Sequence, residues 1–183
     1  MDQPASLLPT RGQLESWLAT LGQDQDLVDT ALGGECDAFA LAMYQAIDKR
    51  WPGTRALPVI VERFRVGQES GKFIEHNPFS HVVLEVTTQD GQVVYVDASG
   101  TGADERWEED WIQPGEFDED EPCEDTFQYT TTTFEDIQAR RAVDRKGPGI
   151  DEAWVKRFGQ RLEQAAPFLE PASTSPQSGR WRP

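Results

Sequence analysis

The chain has 183 residues, about one domain's worth, with 33 acidic against 17 basic side chains and a formal net charge of −16 at pH 7. That balance excludes nucleic-acid binding through phosphate neutralisation, which needs a basic face. Hydrophobic residues make up 37% of the chain, enough for a packed core, and two cysteines, Cys36 and Cys123, cannot make a disulfide framework.

Taken in order, the first periodic segment runs from about Gln13 to Leu21, where Leu14, Trp17, Leu18 and Leu21 recur at helical spacing. A second helix is predicted from Glu35 to about Arg50, behind Gly33-Gly34, with Cys36, Phe39, Ala40, Met43 and Ile47 on one stripe and Asp37, Gln45, Asp48 and Lys49 largely off it. Trp51-Pro52-Gly53 ends it. Strand-like runs follow at Leu57 to Val66, His81 to Thr87, Gln92 to Ala98 and Thr126 to Phe134. A last helix begins after Gly147-Pro148-Gly149, with Trp154, Phe158, Leu162, Ala165, Ala166 and Leu169 at spacings of three and four. Helices before and after a mostly antiparallel sheet indicate an α+β domain over residues 1–170.

Two segments stand outside this pattern. Residues 104–125 hold twelve acids and one base, Arg106, and the breakers Pro114-Gly115 and Glu121-Pro122 predict an exposed acidic insertion rather than a core element. Trp107, Trp111 and Phe117 are interleaved with the acids, a composition suited to holding a basic protein segment. Residues 171–183, rich in Pro, Ser and Gly, predict a disordered tail. No run of about 18 apolar residues occurs, and Met1 to Thr10 lacks a basic segment followed by an apolar stretch. The expectation is therefore a cytoplasmic protein with no membrane partner, and delivery to another cell would need a route without a readable signal.

Three residues suggest chemistry. Cys36 falls at the start of a predicted helix, where open backbone N–H groups and the helix dipole favour a thiolate. A thiolate needs an acid/base partner, and of the two histidines His76 lies in a loop-like Glu75-His76-Asn77-Pro78, whereas His81 opens an apolar strand. The next strand, Val93 to Ala98, is apolar until Asp97, and a carboxylate there needs a partner. A two-residue Asp90-Gly91 turn would set Asp97 on the face away from His81. A three-residue loop Gln89-Asp90-Gly91, with a type I turn and Gly91 left-handed, instead pairs Thr88 with Gln92, sets Asp97 opposite Val83 and makes His81 and Asp97 diagonal neighbours on one face.

The segments Gly34-Glu35-Cys36-Asp37-Ala38-Phe39-Ala40, Ser80-His81-Val82-Val83-Leu84-Glu85-Val86 and Val94-Tyr95-Val96-Asp97-Ala98 together resemble the transglutaminase-like branch of the papain-like superfamily. The resemblance covers about Gly33 to Gly102. It implies a nucleophile-bearing helix packed on an antiparallel sheet, with Cys36 as nucleophile, His81 as base and Asp97 as orienter of the imidazole. It implies a cysteine hydrolase or acyltransferase, a peptidase, glutamine deamidase or transglutaminase, acting on protein or peptide substrates without metal or organic cofactor. Two departures stand out: Val82-Val83 follows the histidine where many members have an aromatic residue, and Thr30 stands where papain-like proteases carry an oxyanion-hole glutamine, leaving Gln23, Gln25 or the Cys36 N–H with another donor to fill that role.

Other assignments compete. Singly, Cys36 reads as a small core residue, His81 as a satisfied strand-end histidine and Asp97 as a turn residue. A zinc site from Cys36, Cys123, His76 and His81 lacks any Cys-x-x-Cys or His-x-x-x-His spacing. Cys123, among carboxylates that raise a thiol pKa, reads as inert. Asp97-Ala98-Ser99-Gly100-Thr101-Gly102 lacks the lysine and the following helix of a phosphate loop. The alternative function is a catalytically inactive acidic interaction protein, a charge mimic of DNA, that holds a basic partner.

Overall fold

The computed structural model describes residues 8–68, 70–102, 123–144 and 149–165. Three helices come first: α1 (Arg11–Leu21), α2 (Gln25–Leu32) and α3 (Cys36–Arg50). Strands β1 (Ala56–Gly67), β2 (Phe73–Thr87), β3 (Val93–Asp97), β4 (Gly100–Gly102) and β5 (Cys123–Thr131) follow, then α4 (Phe134–Asp144) and α5 (Glu152–Ala165). The strands form one five-stranded sheet in the order β4-β3-β2-β1-β5, with antiparallel pairing at every step. The α+β class expected from the sequence is the class observed.

Local chemistry accounts for the helix boundaries. Thr10 caps α1 through a reciprocal box, its hydroxyl accepting from the Gln13 N–H at 3.2 Å while the Gln13 side chain accepts from the Thr10 N–H at 2.8 Å. The Gly33 N–H closes α2 on Asp29 O at 2.8 Å, and Gly34, at φ +140°, turns the chain into α3. α3 lies on one face of the sheet, where Phe39, Met43 and Ile47 join Ile60, Val82, Leu84 and Val96 in the main core. On the other face Val59, Val61 and Val83 pack with Tyr95, Phe127 and Tyr129.

Helix α5 locks the helical layer. Phe158 is fully buried, edge-on to Phe39 with centroids 5.5 Å apart and stacked on Trp154 at 5.5 Å, and the Trp17 indole N–H donates to Leu162 O at 2.8 Å. Phe158→Ala is expected to cost about 3–5 kcal/mol of stability, read as a lower urea midpoint.

Several boundaries differ from the sequence reading. β2 starts at Phe73, so His76 lies within a strand, its backbone opposite Phe64, and His81 sits inside β2 rather than at its start. Between Val61 and Arg63 the register with β2 shifts, two steps on β1 facing four on β2 around Pro78, a residue with no N–H to give a ladder. The acidic run ends three residues earlier than expected: Cys123, Glu124 and Asp125 belong to β5, and Asp125 is held by Arg65 in a two-pronged ion pair at 2.8 and 3.0 Å. β5 stops at Thr131, and the threonines after it open α4 instead of extending the strand. The rest of the acidic insertion, with Trp107, Trp111 and Phe117, and the tail 171–183 lie outside the described residues. No helix among the described residues is long and apolar enough to cross a membrane.

Candidate active site

The hairpin between β2 and β3 sets the geometry. Leu84 pairs with Val96 and Thr87 with Val93; the Thr88 N–H donates to Gln92 O at 2.9 Å, and Gly91 is left-handed at φ +78°. This is the three-residue loop register, and continuing it sets Asp97 opposite Val83 and on the face of His81. The side chains close the diagonal: His81 Nε2 lies 2.9 Å from Asp97 Oδ2, with both residues 2% exposed.

Asp97 serves two partners at once. Its Oδ1 accepts from the Ser99 N–H at 2.8 Å, the Ser99 hydroxyl at 2.6 Å and the Gly100 N–H at 3.2 Å, so the carboxylate builds the turn into β4. Oδ2 is thereby aimed at the imidazole. The turn role expected of an aspartate here and the orienting role belong to different oxygens of one group.

Cys36 is the first residue of α3, and the side chain of the N-cap residue Glu35 makes no capping hydrogen bond. The thiol faces the dipole-positive end of a 15-residue helix. Burial pushes its pKa up, and Asp37 adds to that rise, but a hydrogen bond from His81, the imidazolium charge and Arg141 outweigh both, so Cys36 sits below the ordinary thiol value. Burial likewise pulls His81 down, yet its bonds to Asp97 and Cys36 raise it to about 9. Both directions favour a thiolate–imidazolium pair at neutral pH. With Nε2 committed to Asp97, Nδ1 is the nitrogen left for Cys36.

The site is nearly closed. Cys36 is 5% exposed, and the crevice beside it, about 130 Å³ and lined by Ala31, Leu32, Phe39, His81 and Ala98 among others, is too narrow to hold a water molecule. Gln23 and Gln25, considered above as oxyanion donors, do not line it. They border a separate surface cavity of about 550 Å³ with Arg161, and Gln25 is bonded to Asp29. Thr30 donates to Asp26 O at 2.7 Å. The side chains of Cys123 and His76 lie outside the described residues.

Two residues of the site escaped the sequence reading. Asp37, expected off the apolar stripe, is fully buried, with Oδ1 accepting from the Ala38 N–H at 2.8 Å. Arg141 of α4 places Nε 2.8 Å from Asp37 Oδ2, and its Nη2 donates to Cys36 Sγ at 3.7 Å. A cation 105 residues away thus completes the surroundings of the thiol. The usable signal was the helix start Thr133-Phe134-Glu135-Asp136, where the Thr133 hydroxyl accepts from the Asp136 N–H at 3.1 Å and donates to the Asp136 carboxylate at 3.0 Å.

Comparisons with known proteins return no match: no family model fits the chain, and neither curated proteins nor solved structures include a significant relative.

Proposed function

We propose that the chain is a thiol-dependent acyl-transfer enzyme of papain-like, transglutaminase-like type, acting on protein amides as a peptidase or glutamine deamidase. The observation that carries this reading is the His81–Asp97 hydrogen bond at 2.9 Å in a crevice shared with Cys36, the first residue of α3. The Cys36 thiolate attacks the carbonyl carbon, forming the Sγ–C bond and moving the π pair to oxygen. Collapse restores the carbonyl, breaks the C–N bond and takes the His81 proton onto the leaving amine. Water, deprotonated by His81, then attacks the thioester, releases the acid and regenerates the thiolate. Asp97 holds the ring in place throughout. An amine in place of water would make the same steps a transglutaminase; hydrolysis is preferred because nothing among the described residues of the site marks a second, amine-binding pocket.

The test is acylation by p-nitrophenyl acetate. One acetyl group per chain is expected on Cys36, located by mass spectrometry, absent in Cys36→Ala and lost to water faster in the wild type than in His81→Gln. No acetyl on Cys36, or a thioester equally durable in both proteins, overturns the proposal.

A further inference from the structure

We infer that Arg141 is the oxyanion donor of this site, a catalytic residue held in position by Asp37. The inference rests on the acyl-transfer reading and deepens it. When Sγ bonds to a carbonyl carbon, the oxygen that gains the electron pair lies next to the sulfur, and a useful donor stands about 2.7–3.1 Å from that oxygen. Arg141 Nη2, 3.7 Å from Sγ, already donates to the atom beside which the oxyanion forms. The guanidinium is held beside a buried carboxylate by an ion pair, Nε 2.8 Å from Asp37 Oδ2, and Asp37 is itself tied to the Ala38 N–H at the first turn of α3. Arg141 is also largely covered, its side chain 12% exposed, so its charge acts in a poorly screened setting.

The arrangement supplies a donor that Thr30, Gln23 and Gln25 do not. Thr30 is turned back onto its own helix, and Gln23 and Gln25 border another cavity. The Cys36 N–H, at the first position of α3, and Arg141 Nη2 then form a pair of donors on two elements. His81 and the Arg141 charge both lower the thiol, His81 by more, so support of the thiolate is the competing role that the test must separate.

Two reagents separate these roles. Acetylation by p-nitrophenyl acetate passes through a tetrahedral oxyanion and expels p-nitrophenolate, whereas alkylation by iodoacetamide is a direct displacement of iodide at carbon and builds no oxyanion. Both must reach the same crevice, so any opening step common to them cancels in the ratio of rates. Arg141→Gln is expected to slow acetylation of Cys36 by about 10²–10³-fold while alkylation changes by less than about tenfold. Because that variant leaves Asp37 buried beside a neutral side chain, Asp37→Asn/Arg141→Gln, neutral on both sides, is measured with it and is expected to show the same split. Equal losses in both reactions would make Arg141 a support of the thiolate only, and no loss in either would remove it from the site; each result overturns the inference. A wild-type chain that takes no acetyl on Cys36 fails earlier, at the acyl-transfer reading itself.

Discussion

Asp97→Asn is expected to slow acetylation of Cys36 by about 10⁴-fold in a chain that remains folded. The amide keeps an oxygen for Ser99 and Gly100, which Oδ1 serves at 2.6–3.2 Å, so the turn into β4 survives. Its nitrogen then faces His81 Nε2, where two donors meet, and the ring can satisfy the contact only by giving up the Nε2 proton. The imidazolium is lost and the remaining proton sits on Nδ1. Stopped-flow release of p-nitrophenolate measures the rate, and unchanged circular dichroism certifies the fold. A loss below about tenfold would show that Asp97 serves the turn alone.

The second large effect is on the ionisation of Cys36. Ultraviolet thiolate absorbance, with Cys36→Ala as the subtracted background so that Cys123 cancels, is expected to give a midpoint below the ordinary thiol range. His81→Gln, which keeps a donor for the buried Asp97, removes the bond and charge that lower the thiol, and the midpoint is expected to rise by about 1–3 units. The sign follows from the two groups. Cys36 is lowered, so the thiolate persists as pH falls below the free-thiol value; His81 is raised to about 9, so the imidazolium persists as pH rises toward that value. Between those limits lies the reactive pair, and hydrolysis of an amide is expected to follow a bell whose alkaline limb falls near pH 9 with His81. A wild-type midpoint at the free-thiol value, unmoved in His81→Gln, would leave Cys36 a buried structural residue.

Much of this site was legible because it is made from short-range chemistry. Asp90-Gly91 at the tip of a hairpin restricts the loop to two registers, and a glycine able to adopt φ +78° favours the one that brings Asp97 to the face of His81. Gly33-Gly34 before a helical stripe placed Cys36 at the start of α3. The parts that escaped depend on contacts between distant elements. Among its described side chains α4 buries only Ile137 completely, and five of its eleven positions are charged, so its periodicity is faint and the preceding threonines resemble a strand. Asp37 looks like a solvated residue until Arg141 is brought over it from α4. His76 followed by Asn77-Pro78 carries loop chemistry, yet the ladder to β1 continues through it and accommodates the proline with a register shift. The acidic run hid the start of β5 because Asp125 gains its strand position from Arg65, 60 residues earlier.

The closed crevice over Cys36 also bears on the lifetime of the protein in an oxidising medium. A sulfur with thiolate character is the form that peroxide converts to sulfenic acid and then to irreversible acids. Here it is 5% exposed beside a crevice with no room for a water molecule, so burial limits the reach of an oxidant. Under the acyl-transfer proposal the closure that limits oxidation also limits the approach of an acyl donor, and a ligand that opens the crevice exposes the sulfur to both.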